Sequence, residues 1–332
     1  MESLLKKKVL FRVIGSEAVG MGHIYRSLSL ADELKSHDVY FSSNLESDLA
    51  IKHLSKQRRW LGATPDSDLV LQVNQIKPDM VIFDSLNTQA EMILALKKLG
   101  LKIVSFEDLG SGSSFTCLTI NELFDVPALK GDNYRWGKDY FFVRDEFLNV
   151  LPRTKPKKIK NILLSFGGVD QHNLSKKIYL KIRDFCKHND IHIHIVTGPG
   201  YQDHDSLEAL TKYKDAVDLT HATGVISNIM AKVDFSISSN GRTVYELAHM
   251  NVPGIVIDQH AREGTHHFAC PENGFLNLGL YSLDTTENKV METFSKIVEN
   301  HELFEALYEK LESHHFEKTQ CKTIQEIQSL LN

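Results

Sequence analysis

Twice in this chain a short apolar run ends in glycine and passes within a few residues into a helical period. VLFRVIG, Val9 to Gly15, precedes Ile24, Leu28, Ala31 and Leu34 at helical spacing. NILLSFGG, ending at Gly168, precedes a helix expected from Asn173 to Phe185. A buried strand, a glycine turn and an amphipathic helix form the opening unit of an open α/β sheet, whose ligands gather at the carboxyl ends of the strands. The unit recurs halfway through 332 residues, more than one core comfortably holds, so two such domains are expected.

The same grammar fills both halves. DVYFSSN, MVIFD and LKIVSFEDL read as strands, with helical segments at 48–58 and 88–99. Two of these strands end in acids, at Asp84 and at Glu107-Asp108, on the rim where sites form. The stretch NVLPRTKPKKIK, 149–160, is basic, carries two prolines and lacks an apolar period, which reads as a linker. In the second half IHIHIVTG, VDFSISS and VPGIVI read as strands, and helices are expected at 289–301, 303–312 and 322–331. The expected organisation is an N-terminal Rossmann-like domain over 1–150, a linker over 151–160 and a C-terminal Rossmann-like domain over 161–332, with a cleft between them.

Composition removes several classes. At 42% apolar and 24% charged residues the chain is an ordinary globular protein, not a disordered one. A net charge of −5 implies no broad basic face for nucleic acid. No apolar run approaches a membrane span, and MESLLKKKVLFRV lacks the core of a signal peptide, so a cytoplasmic protein is expected. The four cysteines stand far apart with no C-x-x-C pair, as reduced thiols do. Histidines cluster at His260, His266 and His267, and His192 and His194 share one strand face, but neither spacing is typical of zinc, and no metal or cofactor is expected.

Two junctions carry the chemistry. In Val19-Gly20-Met21-Gly22-His23-Ile24-Tyr25-Arg26, Gly20 and Gly22 allow a ligand close to the backbone, and His23 in the first helical turn can act as a general base. The spacing is G-x-G-H, not G-x-G-x-x-G, which argues against a dinucleotide. The bland alternative is a tightly packed helix start with a solvated histidine. In the second half, SISSNGRTVYELAHM closes a strand at Ser238 and Ser239, turns at Gly241 and enters a helix. There the backbone N–H groups of Asn240 to Thr243, the Thr243 hydroxyl and the helix dipole form a diphosphate cradle, with Arg242 at hand for charge. Glu246, one turn on, can accept hydrogen bonds from ribose; otherwise it is a surface charge on an ordinary helix. Gly167 and Gly168 permit close approach of a ligand or simply make a tight turn. Asp258-Gln259, after VPGIVI, can touch sugar or phosphate or belong to a solvated loop.

With these residues in hand, the chain resembles the UDP-sugar hydrolases of the pseudaminic-acid pathway, relatives of the GT-B glycosyltransferases. FRVIGSEAVGMGHIYRSLSLA is similar to that family's opening, with Gly20, Gly22, His23 and Arg26 on its G-x-G-H-x-x-R pattern. VIFDSL, SFEDL, GKDYFFVRDEF, ILLSFGGVDQHNLS and SSNGRTVYEL extend the likeness over nearly the whole chain. The resemblance implies a GT-B-like fold and cleavage of a UDP-activated, acylated amino sugar to UDP and free sugar, with inversion and without a metal. It implies His23 as the proton-handling group, Asn240 to Thr243 on the diphosphate, Glu246 on the ribose and Asp258-Gln259 near the sugar. Two positions depart from the pattern: Asp258 stands where the family usually has Asn, and Ile14 where Asp is common. Two other functions share these features, a GT-B glycosyltransferase using a carbohydrate acceptor and a silent nucleotide-sugar binding module. The sequence sets no oligomeric state.

Overall fold

In a computed structural model, which describes residues 6–57, 59–212, 214 and 216–332, the chain forms two compact units. One ends at Arg144 and is rejoined by Glu317–Asn332; the other runs from Asp145 to Phe316.

Among the described residues of the first unit, seven strands are β1 (Lys8–Val13), β2 (Asp38–Ser43), β3 (Trp60–Ala63), β4 (Met80–Asp84), β5 (Lys102–Phe106), β6 (Leu118–Asn121) and β7 (Tyr134–Trp136). They lie parallel in the order β3-β2-β1-β4-β5-β6-β7. The helices α1 (Gly22–Glu33), α2 (Asp48–Leu54), α3 (Leu69–Ile76) and α4 (Ala90–Lys97) connect them. A parallel sheet is buried on both faces, which is why β4 reads as the unbroken apolar run MVIF before its terminal acid. Leu10, Val81, Phe83, Ile93, Leu96 and Ile103 form one of its core clusters. Chain direction across the sheet reverses between β1 and β4. The loops leaving those neighbours diverge there and open a crevice at their carboxyl ends.

The second unit contains α5 (Asp145–Leu148), β8 (Asn161–Ser165), α6 (Leu174–His188), β9 (His192–Thr197), α7 (His204–Thr211), β10 (Val217–His221), α8 (Ser227–Met230), β11 (Phe235–Ser239), α9 (Arg242–His249), β12 (Gly254–Asp258), β13 (Phe275–Leu280), α10 (Thr285–Glu299) and α11 (His301–Leu311). Its strands are parallel in the order β10-β9-β8-β11-β12-β13, with the reversal between β8 and β11. Ile178, Ile193, Ile195, Ile237, Ile255 and Phe294 pack into its core.

Three expectations need correction. Strands β3, β6, β7, β10 and β13 fall outside the runs read as strands: β6 (LTIN), β7 (YRW) and β10 (VDLTH) are short or half polar, and β3 (WLGA) and β13 (FLNLGL) are broken by glycine. The stretch 149–160 is fastened to the second unit: Arg153 Nη2 donates to Asp234 Oδ1 (2.6 Å), Lys160 N–H to Asp234 Oδ2 (2.8 Å), and Lys155 pairs with Glu305 (2.9 Å). The last helix, α12 (Glu317–Leu331), belongs to the first unit although 161–332 was expected to be one domain. Thr319 Oγ1 donates to the Phe141 carbonyl, Thr323 Oγ1 to that of Tyr140 (2.9 Å each), and Arg135 Nε to Glu326 Oε2 (2.6 Å). Among the described residues no helix is long and apolar enough to cross a membrane.

Candidate functional site

In the first unit the crevice between β1 and β4 holds a buried charge network. The chain leaves β1 through a tight turn in which Gly20 N–H donates to the Ser16 carbonyl (2.8 Å) and Gly20 takes φ +81°, a left-handed value that favours glycine. Gly22 opens α1, and His23 lies in its first turn with 9% of its surface exposed. His23 Nδ1 lies 2.5 Å from Asp84 Oδ1 at the end of β4. Arg26, one turn further along α1, grips the same carboxylate twice, Nε to Oδ2 at 2.9 Å and Nη2 to Oδ1 at 2.6 Å, while Ser27 Oγ donates to Oδ2 at 3.2 Å. The far side of the guanidinium donates to Glu122 Oε1 (2.6 Å), stands 3.7 Å from Glu107 Oε1 and stacks over Phe106.

This arrangement has a chemical consequence. Burial alone would raise the Asp84 carboxyl, but Arg26 and then His23 hold it well below the usual carboxylate range, so Asp84 is ionised. An ionised Asp84 is an acceptor for the Nδ1 edge of the His23 ring and turns the Nε2 edge away from itself. A base oriented by a carboxylate that is itself held by an arginine is the arrangement proton-transfer catalysis needs. Arg26, the last residue of the G-x-G-H-x-x-R pattern and read from the sequence as a substrate-binding residue, has 1% exposure and its guanidinium on Asp84 and Glu122, so it holds the carboxylate that meets His23 instead of facing a ligand. Asp84 and Glu107 were legible only as acids ending strands, and Glu122 carried no signal. Asp108 serves its own loop, accepting from Thr88 Oγ1 (2.7 Å) and Gly110 N–H (2.9 Å). Ile14 is buried, and its N–H donates to the Asp84 carbonyl (3.1 Å).

In the second unit the predicted residues also meet at the switch point. Gly167, at φ +78°, is placed so that a Cβ would sit 3.8 Å from Ser239 Oγ, which brings the loops after β8 and β11 side by side. Gly168 packs on Gly198 so closely that a Cβ on Gly198 would lie 2.4 Å from the Gly168 Cα. Gly241 precedes α9, and Arg242 and Thr243 form its first turn, where backbone N–H groups lack intrahelical acceptors. Glu246 lies on the same helix with 3% exposure, so it is no surface charge.

Asn240 departs from the expected cradle. Its N–H donates to the Ile257 carbonyl (3.2 Å). Its side-chain amide reaches Asp258 Oδ1 (2.8 Å) and the carbonyls of Glu263 and His266 (2.9 Å each), and its carbonyl lies 2.9 Å from His266 Nδ1. Asn240 therefore ties the loop after β12 to the start of α9. Asp258 Oδ1 also receives Asn277 Nδ2 (3.1 Å), a structural use of that acid. Gln259 Nε2 donates to the Phe166 carbonyl (2.9 Å) and its N–H to Glu263 Oε2 (2.6 Å). Its buried Oε1 has no hydrogen-bond partner among the described residues, an acceptor open to a ligand O–H or N–H. Glu263, which sequence reading missed in an aperiodic loop, is 7% exposed, and its Oε1 would lie 3.7 Å from a Cβ on Gly241. Burial, reinforced by Asp258, raises its carboxyl to about 7.

Two parallel α/β units, each with polar side chains gathered at its switch point, are the GT-B class of fold. MurG of Acinetobacter baumannii aligns with 97% of this chain and 99% of its own at a TM-score of 0.68 and 15% identity. No protein-family model matches the chain. The resemblance read from the motifs holds in whole-sequence comparison. The UDP-2,4-diacetamido-2,4,6-trideoxy-beta-L-altropyranose hydrolase of Campylobacter jejuni is 25% identical over 258 residues, 69% of this chain and 90% of that protein. The spore coat polysaccharide biosynthesis protein SpsG of Bacillus subtilis is 25% identical over 301 residues, 87% of this chain and 88% of that protein. An uncharacterized Methanocaldococcus jannaschii protein is 29% identical over 271 residues; the match takes in 76% of this chain and 56% of that longer relative.

Proposed function

We propose that this chain is an enzyme that hydrolyses a UDP-activated, acylated amino-deoxy sugar to UDP and the free sugar, in the biosynthesis of a nonulosonic acid or a surface polysaccharide. The observation that carries the reading is the His23–Asp84–Arg26 chain at the first unit's switch point. In the proposed reaction His23 Nε2 takes a proton from a water as its oxygen bonds to the anomeric carbon. The bond from that carbon to the diphosphate oxygen breaks, and UDP departs with the electron pair, which inverts the centre. Asp84 supplies the countercharge to the imidazolium. The start of α9, with Gly241, Arg242 and Thr243, holds the diphosphate; Glu246 takes the ribose hydroxyls, and the Gln259 Oε1 acceptor a further ligand donor. Gly20 allows the backbone near the sugar. The C. jejuni hydrolase supports water as the acceptor. The MurG-like fold keeps a second reading in view, in which a carbohydrate hydroxyl takes the water's place.

Incubation of the purified chain with UDP-sugars and no acceptor separates the two. Release of free sugar and UDP is expected; turnover that appears only with an acceptor would overturn hydrolysis. His23→Ala and Asp84→Asn should each lower kcat by about 10²- to 10⁴-fold, the usual contribution of a positioned base. UDP affinity should stay near wild type in both, by calorimetry, and unchanged turnover would remove the pair from the mechanism.

A further inference from the structure

Outside these two groups, β9 and β10 present a third cluster. His192 and His194 alternate with Ile193 and Ile195 along β9; the isoleucines enter the core, so both imidazoles stand on the opposite face. Pairing of β9 with β10 sets Asp218 directly across from His194. Asp218 Oδ2 lies 2.9 Å from His192 Nε2 and 3.4 Å from His194 Nδ1, and the rings are 4.7 Å apart between centroids. One ligand atom from each of the three lies within 4.8 Å of the others. The histidine pair alone has no zinc spacing in sequence; the third donor arrives from 24 residues away through strand register.

We propose that His192, His194 and Asp218 form a three-ligand site for a divalent first-row transition-metal ion, Zn²⁺ foremost, separate from the sugar-nucleotide residues. Two imidazoles and one carboxylate are a donor set that suits this class, and they discriminate against Mg²⁺ and Ca²⁺, which take oxygen ligands. With an ion bound, the three atoms would close to about 2.0–2.2 Å from a common centre. A cavity of about 690 Å³ is lined by His194 and Asp218 together with Ile229 and Lys232, and leaves the remaining coordination positions to water. Asp218 and His192 are partly exposed, so the ion has a path from solvent. Lys232 on the same cavity wall opposes a cation, which gives the site an electrostatic signature of its own.

The test uses the whole chain, stripped with a chelator and titrated with Zn²⁺ by calorimetry and with Co²⁺ by visible absorption. One equivalent per chain is expected. His192→Ala and Asp218→Asn should each weaken binding at least tenfold, the least that loss of even an outer-sphere partner costs. Lys232→Met should tighten binding, and His267→Ala, in the other histidine cluster, should leave it unchanged. Circular dichroism checks that each variant is folded, with His192→Gln as the milder substitution. Failure to bind either ion, or binding indifferent to His192 and Asp218, would overturn the site and show that Asp218 only accepts hydrogen bonds from the two rings. Turnover of UDP-sugars is a separate measurement, so loss of one reading does not touch the other.

Discussion

Glu263 and Asp258 show how much a single side chain can decide. Burial raises the Glu263 carboxyl to about 7 from its ordinary 4.5, Asp258 adds to it, and the Gln259 N–H works against it. A group raised on folding gives its full stabilisation below about pH 4.5 and loses it as pH rises through about 7. Across that window the change amounts to about 3 kcal/mol. Glu263→Gln, which can keep the bond from Gln259 N–H, should therefore raise Tm over wild type at pH 8 and hardly at pH 5. An equal shift at both pH values would show that Glu263 does not titrate in this window. Asp258→Asn should narrow the wild-type pH dependence, because Oδ1 can still accept from Asn240 and Asn277 while the neighbouring charge is removed. None of this is legible in DQHAREGTHH, since burial of a loop carboxyl has no periodic signature.

At the scale of elements, the glycine turns differ in what they require. Gly20 needs a left-handed backbone, and a Cβ there meets nothing within 4 Å. Gly20→Ala should thus cost only the backbone strain, about 1–2 kcal/mol. Gly198 has an ordinary backbone, but its Cβ would sit 2.4 Å from both the Cα and the carbonyl oxygen of Gly168. Gly198→Ala must displace the loop after β8 and should cost at least as much, about 1–3 kcal/mol, and weaken UDP binding as well. Chemical denaturation with UDP titration on both variants checks this; weaker UDP binding in Gly20→Ala than in Gly198→Ala would reverse the assignment. Sequence reading pointed to Gly20, Gly22, Gly167 and Gly168. The structure adds Gly198, whose partner is distant in sequence, and places Gly22 as the first residue of α1.

At the scale of the molecule, α12 belongs to the unit that the chain left at Arg144. Ile327 is fully buried on that helix, so Ile327→Ala should cost about 2–5 kcal/mol. Hydrogen exchange should report the loss in the first unit's strands, β5 and β6 among them, and leave β8, β11 and β12 protected. Exchange that rose only in the second unit would contradict the assignment. The helix itself was legible from its apolar period, but its destination was not, because an amphipathic stripe specifies that a face is buried without naming the sheet that buries it.

What the sequence determined by itself is local and periodic: the apolar central strands, the helices between them, the glycine turns at both switch points, and the positions of His23, Arg26 and Glu246 on the helices that leave those turns. These follow from hydrophobic period and turn chemistry, which act over a few residues. What only the tertiary structure decided is pairing over long separations. Asp84 is 61 residues from His23, Glu122 is 96 from Arg26 and Asp258 is 18 from Asn240. Strand order in two parallel sheets brings those carboxylates to their partners, and no local pattern encodes strand order. Arg26 thereby came to hold the Asp84 carboxylate, and Asn240 to tie two loops together.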